Sequence, residues 1–401
     1  MSKLNDLIKE KCPNGVKFYK IKEISSVTIG EFVHKNKQSD DGQYPVYNGG
    51  ISNTGFYDEY NNDGHKVIIS ARGANAGFIN RVKGKYWAGN SCYTININDE
   101  SKLDWNYLYQ YLKNNQSTLL GVQQTGSIPA ISKKQVEEFK IPIPPIKVQE
   151  EIVRILDKFG ELEAELEAEL EARKTQYEFW RDKIFKFENR TDVKWLKLHD
   201  VKTDIYRGNG IKRNEVTEDG IPCVRYGEIY TTYNIWFDKC KSHTTTDVVN
   251  KPKVFSNNDL LFAITGESVE DISKTIAYTG NEVCYAGGDT VVMKHNQNGK
   301  YLAYALSTKD AIKQKSKGKV KSKVVHSSIP SIEEIVVPIV SLEEQEKIVK
   351  ILDNFYNLVN SLDYGLPAEI ELRRKQYEYY RNKLFSFEEI DYENVTWEWF
   401  K

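Results

Sequence analysis

Apolar residues recur at steps of three and four at Ile152, Ile155, Phe159, Leu162, Leu166, Leu170, Tyr177, Trp180, Ile184 and Phe187, with a polar interruption at Arg173. That is the seam of a helix packing lengthwise on another helix. Between the two ends of this stretch the tetrad Glu-Leu-Glu-Ala stands three times in succession over 161–172, and all three residue types favour helix. The same spacing returns at Ile348, Ile351, Phe355, Leu358 and Leu362. It resumes after Gly365-Leu366-Pro367 at Ile370, Tyr377, Tyr380, Leu384 and Phe387. Glycine followed by proline reads as a helix stop and a helix restart, so the second helix is predicted to be broken there.

The two seams are copies. Residues 149–159 read QEEIVRILDKF and 345–355 read QEKIVKILDNF; 173–188 read RKTQYEFWRDKIFKFE and 373–388 read RRKQYEYYRNKLFSFE. The later copy carries four extra residues between its blocks. The regions before each helix share ordered landmarks. Val16-Lys17-Phe18 matches Val193-Lys194-Trp195, Val67-Ile68-Ile69-Ser70 matches Leu260-Leu261-Phe262-Ala263, and Trp87-Ala88-Gly89-Asn90 matches Tyr285-Ala286-Gly287-Gly288. Val395-Thr396-Trp397 repeats the opening again, as if either end could close a ring. Short β-rich runs, Gly and Asn turns, and one helix near 103–113 or 300–313 indicate α+β domains. The predicted order is a first α+β domain over 1–145, a long helix over 146–188, a second α+β domain over 189–340, a second long helix over 341–388 and a tail over 389–401. Matching seams in a duplicated chain predict that the two helices pack on each other.

Composition changes this picture in one respect. The formal charge is −1, which taken globally argues against a polyanionic partner. Segment 149–172 holds nine acids against Arg154 and Lys158 alone, so the rest of the chain is mildly basic. The five cysteines are scattered without a CxxC pair and read as reduced thiols of a cytoplasmic protein. No apolar run of membrane length occurs.

Catalytic motifs are not found. Gly84-Lys85, Gly299-Lys300 and Gly318-Lys319 lack the Ser or Thr of a phosphate-binding loop. The Pro-Pro pair at 144–145 is flanked by isoleucine rather than by the polar and aromatic residues of an adenine methyltransferase motif. The six histidines have no metal-ligand spacing.

The chemistry that is present suits nucleic acid. Lys315, Lys317, Lys319, Lys321 and Lys323 alternate, and in an extended chain they would line one side as a strip for phosphates. Polar clusters that could reach base edges are Tyr44, Tyr47, Asn48, Arg72, Asn75, Asn90, Gln123, Gln124 and Thr125 in the first domain. In the second they are Tyr206, Arg207, Lys212, Arg213, Arg225, Tyr226, Thr265, Glu267 and Ser268. Arg suits guanine, Asn and Gln suit adenine, and Glu can accept from cytosine.

The repeated helix segments, with Ile141-Pro142-Ile143-Pro144-Pro145 leading into Gln149, Ile152 and Leu156, and with Arg173 to Phe187 and Arg373 to Phe387 closing each copy, resemble the specificity subunits of type I restriction–modification systems. The resemblance spans the chain. It implies two target-recognition domains joined by two long helices packed as an antiparallel coiled coil, each domain reading half of a split double-stranded DNA target. It implies two methyltransferase subunits docked on the helices, carrying S-adenosylmethionine, and restriction subunits carrying ATP and Mg. No catalysis, cofactor or metal is expected in this chain. The helix-packing set is then Ile152, Phe159, Leu162, Leu166, Leu170, Tyr177, Trp180, Ile184, Ile348, Phe355, Leu358, Leu362, Tyr377, Tyr380 and Leu384. Two other readings stay open: a coiled-coil scaffold with two carbohydrate- or protein-binding modules, and a self-sufficient restriction or methylating enzyme.

Overall fold

The structure, a computed structural model, describes residues 2–121, 129–248, 251–319 and 324–390. The chain divides into two compact units, Met1–Glu165 with Ile370–Lys401, and Leu166–Glu369. Both mix helix and sheet.

The first unit opens with α1 (Ser2–Lys11) and β1 (Phe18–Lys20), followed by β2 (Ser25–Ile29), β3 (Tyr44–Tyr47), β4 (Phe56–Tyr57), β5 (Lys66–Ser70), β6 (Ile79–Val82), β7 (Trp87–Ala88) and β8 (Cys92–Ile97). The uninterrupted apolar run Val67-Ile68-Ile69 makes β5 a strand buried on both faces. It lies inside an antiparallel sheet of order β2-β8-β5-β6, with Val67 opposite Ile95. A second sheet has the order β4-β3-β7, and β3 runs parallel to β7. The Asp104 carboxylate caps α2 (Trp105–Asn114) by accepting from Tyr107 N at 2.8 Å. Strand β9 (Lys140–Pro142) then pairs with β1 and leads into α3 (Ile146–Ile184), a helix of 39 residues. The core gathers Ile69, Ile79, Ile95, Tyr107, Leu112, Ile141, Ile152 and Leu156, together with Leu384 and Phe385 from the far end of the chain.

The second unit repeats this plan. Its elements are β10 (Lys194–Lys197), β11 (Lys202–Arg207), β12 (Ile221–Val224), α4 (Tyr226–Thr231), β13 (Trp236–Phe237), β14 (Ser242–Thr244), β15 (Val254–Phe255), β16 (Leu260–Ala263), β17 (Thr265–Gly266), β18 (Thr275–Tyr278), β19 (Cys284–Ala286) and β20 (Thr290–His295), and all the strands but β10 and β17 build two larger sheets. Their orders are β11-β20-β16-β18-β13 and β14-β12-β19-β15, and β12 runs parallel to β19. Asn298 caps α5 (Gly299–Leu306) as Asp104 caps α2, accepting from Tyr301 N at 3.1 Å. After α6 (Lys309–Ser316), β21 (Val325–His326) pairs with β17, and β22 (Val336–Ile339) pairs with β10.

The last two helices are α7 (Leu342–Asn360) and α8 (Leu366–Leu384), separated by residues 361–365. A Cβ on Gly365 would lie 2.5 Å from the Asn357 carbonyl oxygen, so the turn closes only around glycine. Antiparallel helix pairing is visible within each unit. In the first, Phe159 packs against Tyr377 and Tyr380 with ring centroids 5.9 and 5.8 Å away, while Glu163 pairs with Arg374. In the second, Tyr177 meets Tyr356 with centroids 6.4 Å apart, and farther along Arg190 pairs with Glu344 at 2.6 Å.

The predicted seam needs correction at five positions, of which Ile351 is 49% exposed. Leu162 is 47% exposed, and Trp180 also faces outward, edge-on to Phe179 and beneath the Lys183 ammonium. Leu358 is exposed beside buried Val359, and Leu362 is 73% exposed because it lies beyond the end of α7, where helical phase no longer applies. Leu156, Phe185, Leu352 and Val359 are buried instead. The reason is that these stretches enter a globular core, which covers a wider face than a helix–helix seam does.

Candidate nucleic-acid interface

Parallel strands end on the same side, and that property gathers a cluster of turns in each unit. In the first, β3 and β7 end together, and Gly89 N donates to the Tyr47 carbonyl at 2.7 Å. Asn48, the next residue, accepts from Ser91 N on its Oδ1 at 2.9 Å. The turn after β2 joins them, as Gly30 N donates to Cys92 O at 3.1 Å and Glu31 N to Ala88 O at 2.9 Å. A Cβ on Gly30 would lie 2.0 Å from Ala88 O, so only glycine permits that approach. The turn after β5 completes the edge. Ala71 N donates to Ser91 O at 2.8 Å, and Arg72 Nη2 to Asn90 O at 3.5 Å.

The second unit builds the same edge with different side chains. Gly287 N donates to Val224 O (2.8 Å), Gly208 N to Thr290 O (2.8 Å), Asn209 N to Ala286 O (3.0 Å) and Ile264 N to Asp289 O (2.9 Å). A Cβ on Gly208 would lie 2.2 Å from Gly287 O. The hydrogen bonds therefore match position by position. Where the first unit has Glu31, Asn48, Arg72, Asn90 and Ser91, the second has Asn209, Arg225, Thr265, Gly288 and Asp289. One backbone holds two unlike sets of donors and acceptors.

At the second unit's edge, Ile211, Lys212, Arg213, Arg225, Tyr226 and Asp289 line a recess of about 630 Å³. Arg207 is ion-paired with Asp289. Arg225 opens α4, and its backbone N donates to Glu228 Oε2 at 2.8 Å. Glu228 is buried and also accepts from the Ser242 hydroxyl. The Arg225 guanidinium stays 4.0 Å from that carboxylate, and its Nε is buried with no protein acceptor.

Of the residues singled out from sequence, Asn48, Arg72, Asn90, Arg207, Lys212, Arg213, Arg225 and Thr265 come to these edges. Tyr47 is half-buried against Tyr86, and burial raises its hydroxyl pKa. Tyr44 sits at the other end of β3 against Tyr60, and Tyr206 donates to the Val254 carbonyl. Asn75 belongs to the turn into β6. Ser268 accepts from the backbone of Glu270 and Asp271 and shapes the turn that also holds Glu267. Gln123, Gln124, Thr125, Lys321 and Lys323 lie outside the described residues, as does Val395-Thr396-Trp397.

The lysine strip is corrected. The correction falls on its first member, because residues 309–316 are helical and Lys315 does not continue the extended alternation. Lys315 is 6% exposed and donates to Thr275 Oγ1 at 2.9 Å. Burial and the neighbouring Lys274 cation push its ammonium down to about 7. Lys317 is exposed and Lys319 partly so.

Glu31, Ser91, Asn209 and Asp289 escaped sequence reasoning. The matched Ala-Gly pairs at 88–89 and 286–287 were a usable signal for two of them, because they mark where one strand ends at the edge. Among the described residues no group of three or more His, Cys, Asp or Glu could hold a metal, and no helix is long and apolar enough to cross a membrane.

A family model for the type I restriction modification DNA specificity domain matches residues 13–172 and again 188–372. The specificity subunit of the Escherichia coli type I restriction enzyme EcoR124I/EcoR124II is 30% identical over 302 residues, 72% of each chain. A putative type I restriction enzyme specificity subunit of Haemophilus influenzae is 30% identical over 363 residues, 86% of this chain and 89% of its own. Among solved structures, a type I S subunit from M. genitalium covers 94% of this chain and 98% of its own at TM-score 0.52 and 20% identity. A chain from a study of complex assembly and conformational transition of the type I R-M system covers 93% of this chain and 98% of its own at TM-score 0.66 and 14% identity. At those identities the structures speak to the fold alone.

Proposed function

The chain belongs to the type I restriction modification DNA specificity family, and from that premise we propose that it reads a split double-stranded DNA target, one half-site per unit. This family supplies DNA target specificity and not catalysis. The observation that carries the finer reading is the pair of matched edges: equivalent hydrogen bonds at Gly89 and Gly287 and at Gly30 and Gly208, with unlike side chains at the tips. A fixed backbone with exchangeable side chains is what reading two different sequences requires. A duplicated chain also suits the twofold geometry of a duplex, as in dimeric repressors, but here the half-sites differ.

The long helices set the unread gap and dock two methyltransferase subunits, through which restriction subunits join. S-adenosylmethionine belongs to the methyltransferase, which modifies adenine N6, and ATP and Mg belong to the restriction subunit. The acidic run over 161–172 suits a protein partner better than phosphate. The complex works in the cytoplasm. Lys212 and Arg213 contact phosphates or bases of the second half-site and Arg72 and Asn90 those of the first, a reading supported by their positions at the two edges.

The test is to express the chain with its neighbouring methyltransferase subunit in a methylation-free bacterium and map N6-methyladenine. A split motif with two unlike halves and a fixed gap is expected. Two co-purifying proteins that leave the genome unmodified would favour a scaffold role instead. Deleting one Glu-Leu-Glu-Ala tetrad removes about 6 Å of helix, against 3.4 Å per base pair, so the gap should shorten by about one or two base pairs with both halves retained. An unchanged gap would sink the ruler.

A further inference from the structure

We propose that Arg225 is the guanine-reading residue of the second unit, and that Glu228 and Ser242 act on specificity through it as positioning residues. The assignment rests on the half-site reading above and names the chemistry of one position within it. Of Arg207, Lys212, Arg213 and Arg225 at this edge, Arg225 alone is built to discriminate. Arg207 is neutralised by its ion pair with Asp289. The Lys212 side chain is 79% exposed, and Arg213 is exposed. Lys212 lies 3.8 Å from the Glu215 carboxylate, an exposed pair that holds the ammonium only weakly, and exposed cations suit phosphates, which carry no sequence information.

Arg225 differs in three ways. Its side chain is only 28% exposed, so much of its stem is already immobilised before DNA arrives. Its Nε is buried without an acceptor, and the nearest carboxylate oxygen is 4.0 Å away, so the protein leaves the charge largely unspent. Its main chain is held by Glu228 Oε2, and the other oxygen of that carboxylate accepts from the Ser242 hydroxyl, so the group that fixes the Arg225 backbone is itself held in place. Beside it, Gly227 and Gly288 leave the recess open where side chains would otherwise fill it. A guanidinium with a partly buried stem, an open approach and only a distant pairing with the Glu228 carboxylate at 4.0 Å fits bidentate contact with guanine O6 and N7, and part of its ordering cost is already met. At the equivalent position Asn48 has its Oδ1 occupied by Ser91 N, so the same framework position does not repeat this contact in the first unit.

The experiment uses the full chain with its methyltransferase subunit and reads methylation of a library in which every target position is randomised. Arg225→Lys keeps the charge and removes the planar fork. Discrimination for guanine at one position of one half-site should fall roughly 5- to 150-fold, with the other half-site and the salt slope unchanged. Ser242→Ala should relax the same position more weakly; a purely structural role would lower the unfolding temperature and leave base preference alone. The untouched half-site, read in the same library, reports that the complex is folded and assembled. If Arg225→Lys keeps every base preference of the wild type, the assignment is overturned while the half-site reading stands. If the wild-type complex reads no split motif, the half-site reading fails and takes the assignment with it.

Discussion

The two units are alike where they are dry and unlike where they meet solvent. In the interior even polar details repeat. Gln149 is fully buried, accepts from Asp104 N at 2.9 Å and donates to Lys102 O and Pro144 O at 2.8 and 2.7 Å. Gln345, also fully buried, accepts from Asn298 N at 2.9 Å and donates to Gln297 Oε1 and Val340 O at 2.8 and 2.9 Å. Tyr107 donates to Pro142 O at 3.0 Å and Tyr301 to Pro338 O at 2.8 Å. At the margin of the interior, Asp157, its side chain 40% exposed, accepts from Gln110 and lies 3.9 Å from Arg81, while the more covered Asp353 holds Lys300 and Tyr304, each at 2.7 Å. Buried polar groups must be satisfied together or not at all, so such a network resists change. The edge residues share only their backbone hydrogen bonds, so their side chains can diverge without cost to the fold.

One interior difference is covalent. In the second unit the chain runs on from Phe185, through left-handed turns at Phe187 and Asn189, into the strand at Lys194. In the first unit Phe385 occupies the matching place, but hydrogen bonds replace the chain: Val16 N donates to Glu388 O at 2.8 Å and Ile390 N to Val16 O at 3.2 Å.

The largest expected effect probes that pair. Phe385→Ala and Phe185→Ala each open a cavity against Tyr107 or Tyr301 and should cost about 3–5 kcal/mol in their own unit. Urea unfolding followed by hydrogen exchange assigns the loss to one unit, and a loss shared by both would break the comparison. Gln149→Ala and Gln345→Ala should each cost roughly 3 kcal/mol, since three buried hydrogen bonds go at once. Markedly unequal losses in denaturant titrations would mean that the networks are not equivalent.

A pH effect should be strongest in the second unit. Lys315 binds its proton up to about pH 10.4 in the unfolded chain but only up to about 7 when folded. Between those values the unfolded state holds a proton that the folded state lacks, so stability should rise with pH across that window. Lys315→Met should flatten the rise; an unchanged slope would place the shift elsewhere. In the first unit, burial and the Arg381 cation also hold Lys113 below its ordinary range, but it is less buried. The smallest effect belongs to Lys317 and Lys319. Replacing either by Ala should weaken binding evenly across sequences and lower the salt slope by about one. A change in a single base preference would make that lysine a reader.

Much of this was legible in the sequence because long helices repeat their apolar period over many residues. The copied blocks, the break at Gly365 and the matched strand runs at 67–70 and 260–263 needed no tertiary information. The strand order did not show, since β7 and β13 are two residues long and pair with strands distant in sequence. The spacing of Lys315, Lys317 and Lys319 suggested a strand, yet Thr308, which caps α6 by accepting from Ala311 N, starts a helix that carries the first of them into the interior. Nothing in the sequence marks Gly30 and Gly208, because only the approach of another strand end gives them a role.

The most direct test replaces residues 16–141 with residues 193–337, so that both halves of the chain carry the second unit's edge. Expressed with the methyltransferase subunit and read by methylome sequencing, this chain should modify an interrupted palindrome built from two inverted copies of a single half-site. An assembled complex that still modifies the original asymmetric motif would contradict the claim that each edge reads its own half.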